Sequence, residues 1–292
     1  MTTAVKPLPR YRSELSWWDW VKQPLFYAIL ISWSIVCLAP FWLSVVFSLK
    51  PVRSIYDPPL FWPIPFTLEN YKTVVTQFAL FPRWLLNSVT VASILTVVRV
   101  LFCAMGGYAF ARLRFPGKKI VFTAMLVSMM IPGQVTIIPN FLIIGPRLFK
   151  LIDNLWAVML PGIATAFGVF MMTQFYKSLP VELEEAAFLD GADRFTIFFR
   201  VALPVSQTAL ITLALFTFQG SWNEFMWPLI VLRTPSNFTL PMGLQWFKGE
   251  YYTLYSIVLA GSLFNALPII ILFFAFQKYF IQSIATTGLK GV

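Results

Sequence analysis

The sequence contains no histidine. This removes the side chain most used as a metal ligand and as a general base near neutral pH. Cysteine is nearly as scarce. Cys37 and Cys103 are the only two, and each lies inside an apolar run, where a thiol packs as a small hydrophobe; neither a disulfide nor a metal pair is expected. Charge is thin as well. Only 12% of the 292 residues are charged, against 58% hydrophobic, and the mean hydropathy is +0.74. Soluble domains carry about 25% charged residues, so most of this chain sits in something other than water. The sequence has no G-x-x-x-x-G-K-[ST] loop to cradle phosphates, and hydrolysis of ATP by the chain itself is not expected. An intramembrane enzyme would need a nucleophile and a base, and no such pair is evident.

The charge that is present is unbalanced, at +10. The basic residues stand mainly beside apolar segments. That placement suits anionic lipid and control of topology, not nucleic acid, which needs a basic patch on a soluble face.

The first apolar run, residues 25–49, is uncharged and longer than the roughly 20 helical residues that cross a bilayer. Lys6, Arg10, Arg12 and Lys22 precede it. A signal peptide has a shorter apolar core and a small-residue cleavage site. The reading is therefore a cytoplasmic tail, 1–24, and a retained helix. Further spans are expected at 84–110, 120–142, 155–176, 205–232 and 255–277, within a membrane domain covering 25–283, and a cytoplasmic tail at 284–292. The fold class is thus an all-α membrane protein with six transmembrane helices and both termini on one side. Arg112, Arg114, Lys118 and Lys119 fill the connection between the second and third spans, which the positive-inside rule places in the cytoplasm. Alternation then places the connection between the fourth and fifth spans there too. The bias is moderate, because the outer connections carry Lys50, Arg53, Lys72, Arg83, Arg147, Lys150, Arg233 and Lys248. The proline-rich segment 50–83 is expected to lie along the outer surface, with a short helix near 69–78.

One island of acid breaks the apolar pattern: Glu182, Glu184, Glu185, Asp190 and Asp193. Pro180 can open a helix whose acidic first turn suits the positive end of the helix dipole. Val181, Ala186 and Leu189 can share one apolar side. Gly191 can end the helix through a left-handed cap, a second short helix can run over 194–201, and Pro204 marks its end. The product is a helix-turn-helix knob on the inner face. On charge pattern alone it is equally an amphipathic connector or a docking element.

Polar residues inside spans are functional candidates. Trp222, Asn223 and Glu224 combine an indole, an amide and a carboxylate, which suits the hydroxyls and ring face of a sugar; they fit either the translocation path or an interfacial aromatic belt. Arg99 can meet Glu224 or carbonyl groups inside the bundle, or snorkel toward the headgroups. Asn87, Gln134, Asn140, Gln219 and Asn265 can serve interhelical hydrogen bonds, with Asn265 also a candidate for the path. Gly106-Gly107 permits close helix contact, and Pro132, Pro139, Pro161 and Pro268 can kink their spans. A secondary transporter would need acidic residues at the midplane and an inverted repeat; here the acids gather in one loop, Glu224 excepted.

The stretch Glu185-Ala186-Ala187, three residues, Gly191, nine residues, then Val201-Ala202-Leu203-Pro204 resembles the signature loop of bacterial ABC-importer permeases. Phe66 to Tyr71, Ala109 to Gly117, Ile131-Pro132 with Ile138-Pro139, Trp222-Asn223-Glu224-Phe225 and the tail Gly288-Leu289-Lys290-Gly291 resemble the smaller permease of the maltose and glycerol-phosphate type. The resemblance implies the type I importer fold, with a coupling loop at 180–204 docking onto an ATPase through Glu182, Glu185, Ala186, Ala187, Asp190, Gly191, Leu203 and Pro204. It further implies a second permease subunit, two ATPase subunits that bind ATP and Mg, an extracytoplasmic solute-binding protein, a sugar cargo and the bacterial inner membrane. The chain itself is expected to bind no cofactor and no metal. Gly288, Lys290 and Gly291 are candidates for a tail contact with the ATPases, or for an untethered terminus. The loop pattern leaves a polyamine or opine as cargo open.

Overall fold

The computed structural model describes residues 17–76, 78–145, 148–247 and 254–288. Among the described residues no strand occurs. In chain order the α-helices are α1 (Trp17–Ser48), α2 (Glu69–Thr76), α3 (Phe81–Arg112), α4 (Lys118–Ser128), α5 (Ile137–Ile144), α6 (Leu155–Met159) and α7 (Ala166–Ser178). They continue with α8 (Glu182–Leu189), α9 (Arg194–Ile197), α10 (Leu203–Val205), α11 (Gln207–Trp222), α12 (Met226–Val231), α13 (Leu240–Gly243) and α14 (Tyr255–Gly288).

Helices α1, α3 and α14 contain stretches long and apolar enough to cross a membrane. Three helix pairs reach that length and apolarity only together and are bent at the join, as broken spans or re-entrant segments are: α4 with 133–144 at 101°, 155–162 with α7 at 44°, and the short segment 194–205 with α11 at 78°. Counting each pair once gives up to six spans. Hydropathy sees continuous apolar runs at these places, but the backbone does not run straight through. Pro132 is extended, with ψ 133°, which interrupts the ladder between α4 and α5. Thr165 is extended and its hydroxyl accepts from the Gly168 N–H, restarting the helix as α7. The run 205–232 is likewise not one helix. α11 ends at Trp222, and the Glu224 carboxylate accepts from the Trp227 N–H at 3.1 Å, satisfying a first-turn donor of the short α12.

Helix α3 is the centre of the bundle and packs most extensively on α7 and then α11. Small residues permit the approach to α7. A Cβ on Gly107 would lie 2.5 Å from the Met172 Cβ, and one on Gly168 would lie 2.6 Å from the Cys103 sulfur. Two apolar cores flank the bundle middle. One gathers Trp84, Val91, Trp222, Leu240 and Phe247; the other gathers Cys103, Tyr108, Met172, Tyr176 and Phe198. Buried Cys103 thus packs as a small hydrophobe, while Cys37 is exposed on α1. Helix α1 leans on α14 and leaves much apolar surface uncovered, with Trp33 68% and Phe41 65% exposed. Such a surface needs lipid or another apolar partner.

The Asn87 amide donates to the Ser236 and Phe238 carbonyls at 2.9 Å each, and the Trp84 indole donates to the Pro235 carbonyl at 2.7 Å. These bonds fasten the start of α3 to the connection before α13. In the proline-rich connection, Lys50 is fully buried and donates to the Asp57 and Pro59 carbonyls. Asp153, on the connection before α6, accepts from the Arg233 N–H, the Thr234 N–H and the Thr234 hydroxyl, tying that connection to the one after α12.

Candidate functional site

The acidic island folds as a knob beyond the end of α7. Glu182, Glu184 and Glu185 occupy the first turn of α8. Gly191 then turns the chain with φ +80°, and a Cβ there would meet nothing within 4 Å. Its requirement for glycine is therefore conformational, not steric. Asp193 starts α9 by accepting from the Thr196 N–H at 2.9 Å, and hydrogen bonds from Thr196 hold its carboxyl below the usual range. The Arg194 guanidinium lies 4.3 Å from the Phe188 ring centre and clasps α9 to α8. A π-helical turn over Phe198–Ala202 follows, then α10 with Pro204, and the bend at Ser206 leads into α11. Single π turns inside helices often mark functional sites.

The expected apolar side of α8 is not the one that faces the bundle. Val181, Ala186 and Leu189 point outward, Leu189 with 91% of its surface free. The buried residue of the helix is Glu184. Its carboxylate accepts from the Arg112 Nε at 2.7 Å and the Tyr108 hydroxyl at 3.0 Å, and the Arg112 Nη2 also donates to the Leu179 carbonyl at 2.8 Å. The knob is thus bolted to the last turns of α3 by a charge-assisted cluster. Sequence reasoning missed Glu184 and Arg112 as a pair. A signal existed, since Arg112 ends one span and Glu184 opens the island, but only the fold brings the two together.

With Glu184 turned inward, Glu182, Glu185, Ala186, Asp190, Gly191 and Pro204 remain exposed, and Ala187 and Leu203 are half-buried. The free face of the knob therefore mixes carboxylates with bare apolar side chains, Leu189 and Phe195 foremost. Exposed apolar side chains rimmed by charge are one mark of an interaction surface.

The intramembrane candidates separate. Trp222 is sealed in the core, stacked on Phe218, and its indole donates to the Asn265 carbonyl at 2.9 Å. It presents no open ring face to a path. Asn223 and Glu224 are exposed at the break after α11. The Asn265 side-chain oxygen is buried without a hydrogen-bond partner among the described residues. A cleft of about 280 Å³ between α11 and α14 carries Gln219 as its polar lining residue. Arg99 does not reach Glu224; its Nε donates to the Gly162 carbonyl, where the fourth span bends. Gly288 ends α14, whereas Lys290 and Gly291 lie outside the described residues. No group of metal-ligating side chains occurs among the described residues.

Apolar spans around a central helix, with a bolted knob before α11, define a multi-pass membrane subunit. The chain belongs to the family of binding-protein-dependent transport system inner membrane components, whose model matches residues 101–286. It is a multi-pass membrane component of that family, not a catalytic subunit. Among curated proteins it is 38% identical to the arabinooligosaccharides transport system permease protein AraQ of Halalkalibacterium halodurans, over 80% of this chain and 82% of that one. It is 35% identical to AraQ of Bacillus subtilis, over 91% and 94% of the two chains. It is 31% identical to the trehalose/maltose transport system permease protein MalG of Thermococcus litoralis, over 93% and 98%. Its fold matches a chain of a bacterial ABC transporter involved in the import of the acidic polysaccharide alginate, with TM-score 0.82 and 22% identity, over 94% of this chain and all of that one.

Proposed function

We propose that this chain is one of two permease subunits in an importer that moves a sugar or sugar derivative across the inner membrane by alternating access. The observation that carries the reading is the knob at 182–204. Its free face is exposed acid and leucine, and its root is locked to α3 through Glu184 and Arg112. A force applied at such a surface reaches the bundle. Two ATPase subunits, holding ATP and Mg, supply that force at this knob and its counterpart on the second permease. An extracytoplasmic solute-binding protein delivers the cargo. The knob, and with it both termini, faces the cytoplasm, as the basic connection Arg112 to Lys119 favours. Sugar as cargo is supported by the names of the relatives and by exposed Asn223 and Glu224; a polyamine or opine is the second cargo class to test.

The test is import by the assembled complex in proteoliposomes, with Gly191→Pro introduced. Proline cannot adopt the φ of +80° found there and removes the N–H that donates to the Phe188 carbonyl at 3.0 Å. Import is expected to fail while ATP is still hydrolysed and the subunit stays in the membrane. Import at the parental rate would remove the coupling role from the knob.

A further inference from the structure

Beside the knob, a cleft of about 580 Å³ opens at the same end of the bundle, where α3, α4 and α7 meet. Its lining includes Lys118, Lys119 and Lys177 together with the rings of Phe110, Phe115 and Phe122, and no acidic residue. We propose that this cleft is a binding site for the phosphate headgroup of an anionic membrane phospholipid, which rests on the inner-face placement argued above.

The three cations are arranged for an anion. Lys118 is held at the rim by donating to the Leu113 carbonyl at 2.9 Å. Lys177 lies 5.4 Å from the Phe122 ring centre, braced over an apolar floor. Lys119 is exposed and has no polar partner among the described residues. Near these lysines, α4 begins after Gly117, at φ +76°, with no side-chain oxygen capping its N-terminus, so the positive end of the helix is open as well. The buried acid of the knob, Glu184, is taken by Arg112 and Tyr108, and the exposed Glu182, Glu185 and Asp190 are not part of the cleft lining.

The walls decide between a lipid and a free ion. Phe115 and Ile120 in the lining are 38% and 76% exposed, and bare apolar side chains continue along α4 beyond the cleft at Val121 and Val127. A soluble phosphate has no use for that surface. A phospholipid covers it with acyl chain while its headgroup sits among the lysines.

The test uses the purified full-length assembly in nanodiscs with spin-labelled phosphatidylglycerol or phosphatidylcholine, reading the immobilised fraction at the protein. The parent is expected to retain phosphatidylglycerol preferentially. Lys119→Gln and Lys177→Gln, which alter exposed side chains, are each expected to weaken that preference by about fivefold, the scale of one cation at an anionic surface. Arg114→Gln removes an equal charge from the same connection but lies outside the cleft, and is expected to leave the preference unchanged. Equal retention of the two lipids by the parent would overturn the proposal. So would equal losses in all three variants, which point to diffuse surface charge, or displacement of the lipid by millimolar inorganic phosphate, which points to a free ion. The assay contains no sugar and no ATP, so its failure leaves the importer reading standing.

Discussion

Removing the carboxylate of Glu184 should free the knob without unfolding the spans. In the parent, that carboxylate accepts from Arg112 and Tyr108, with the ion-pair side chains only 8% and 10% exposed. Glu184→Ala strands a buried guanidinium and a buried phenol. Breaking one side of a buried pair costs about 3–5 kcal/mol. The low end applies, because Arg112 keeps the Leu179 carbonyl at 2.8 Å. About 3 kcal/mol corresponds to roughly a hundredfold rise in local opening. The amides that report it are those of Asp190 and Ala192, which donate to the Ala186 and Ala187 carbonyls at 3.1 and 3.0 Å. Hydrogen exchange on the assembled complex should accelerate there by that factor, while amides in the α3–α7 core stay protected. Glu184→Gln keeps the shape and an acceptor but loses the charge. It should cost about 1.5 kcal/mol, roughly a tenfold acceleration. Parental exchange at Asp190 and Ala192 in the alanine variant would refute the bolt, as would equal acceleration throughout the core.

Other perturbations separate packing, cargo and the connection before α6. Gly107→Ala places a methyl against Met172 and should destabilise the α3–α7 contact by about 1–3 kcal/mol, visible as a lower Tm in detergent than the parent. Glu224→Gln should change the import rate or sugar range while ATPase subunits co-purify as before, because an amide oxygen can still accept from the Trp227 N–H. At Asp153 burial pushes the carboxyl up, but hydrogen bonds from the Thr234 hydroxyl, the Thr234 N–H and the Arg233 N–H outweigh it and hold it at about 2, against an ordinary 3.8. A lowered folded-state value means that its stabilisation is complete above pH about 4 and is lost as pH falls through about 2. Melting curves of parent and Asp153→Asn should therefore differ at pH 5 and above, and converge toward pH 2.

What could be read from the chain followed the range of the physics involved. Gly191, Asp193 and Pro204 act on their own backbone neighbourhood, so the knob's helix-turn-helix outline was legible from local rules. Apolar runs likewise reported where helices lie. They did not report the breaks at 129–136 and after Trp222, because apolar content continues through both while the hydrogen-bond ladder does not; Pro132 signalled the first, and nothing local signalled the second. Which side of α8 is buried was not legible, for a related reason. Periodicity assigns the apolar side to the core, yet Glu184 faces inward because Arg112, 72 residues earlier in the chain, waits there. Trp222 was hidden in the same way, since its partner is a backbone carbonyl on α14.

Helix α3 spans the molecule as one uninterrupted piece of 32 residues, about 48 Å at 1.5 Å per residue. One end grips the knob through Arg112, and the other grips the connection before α13 through Trp84 and Asn87. It is therefore a rigid lever with a load at each end and its fulcrum among the small residues facing α7. With the pivot near Gly107, about 8 Å from Arg112 and about 35 Å from Trp84, a tilt of about 10° moves the knob end by about 1 Å and the Trp84 end by about 6 Å, in opposite directions. A displacement of about 1 Å at the knob thus arrives, inverted and enlarged, at the connection before α13, with no bond inside the lever having to break.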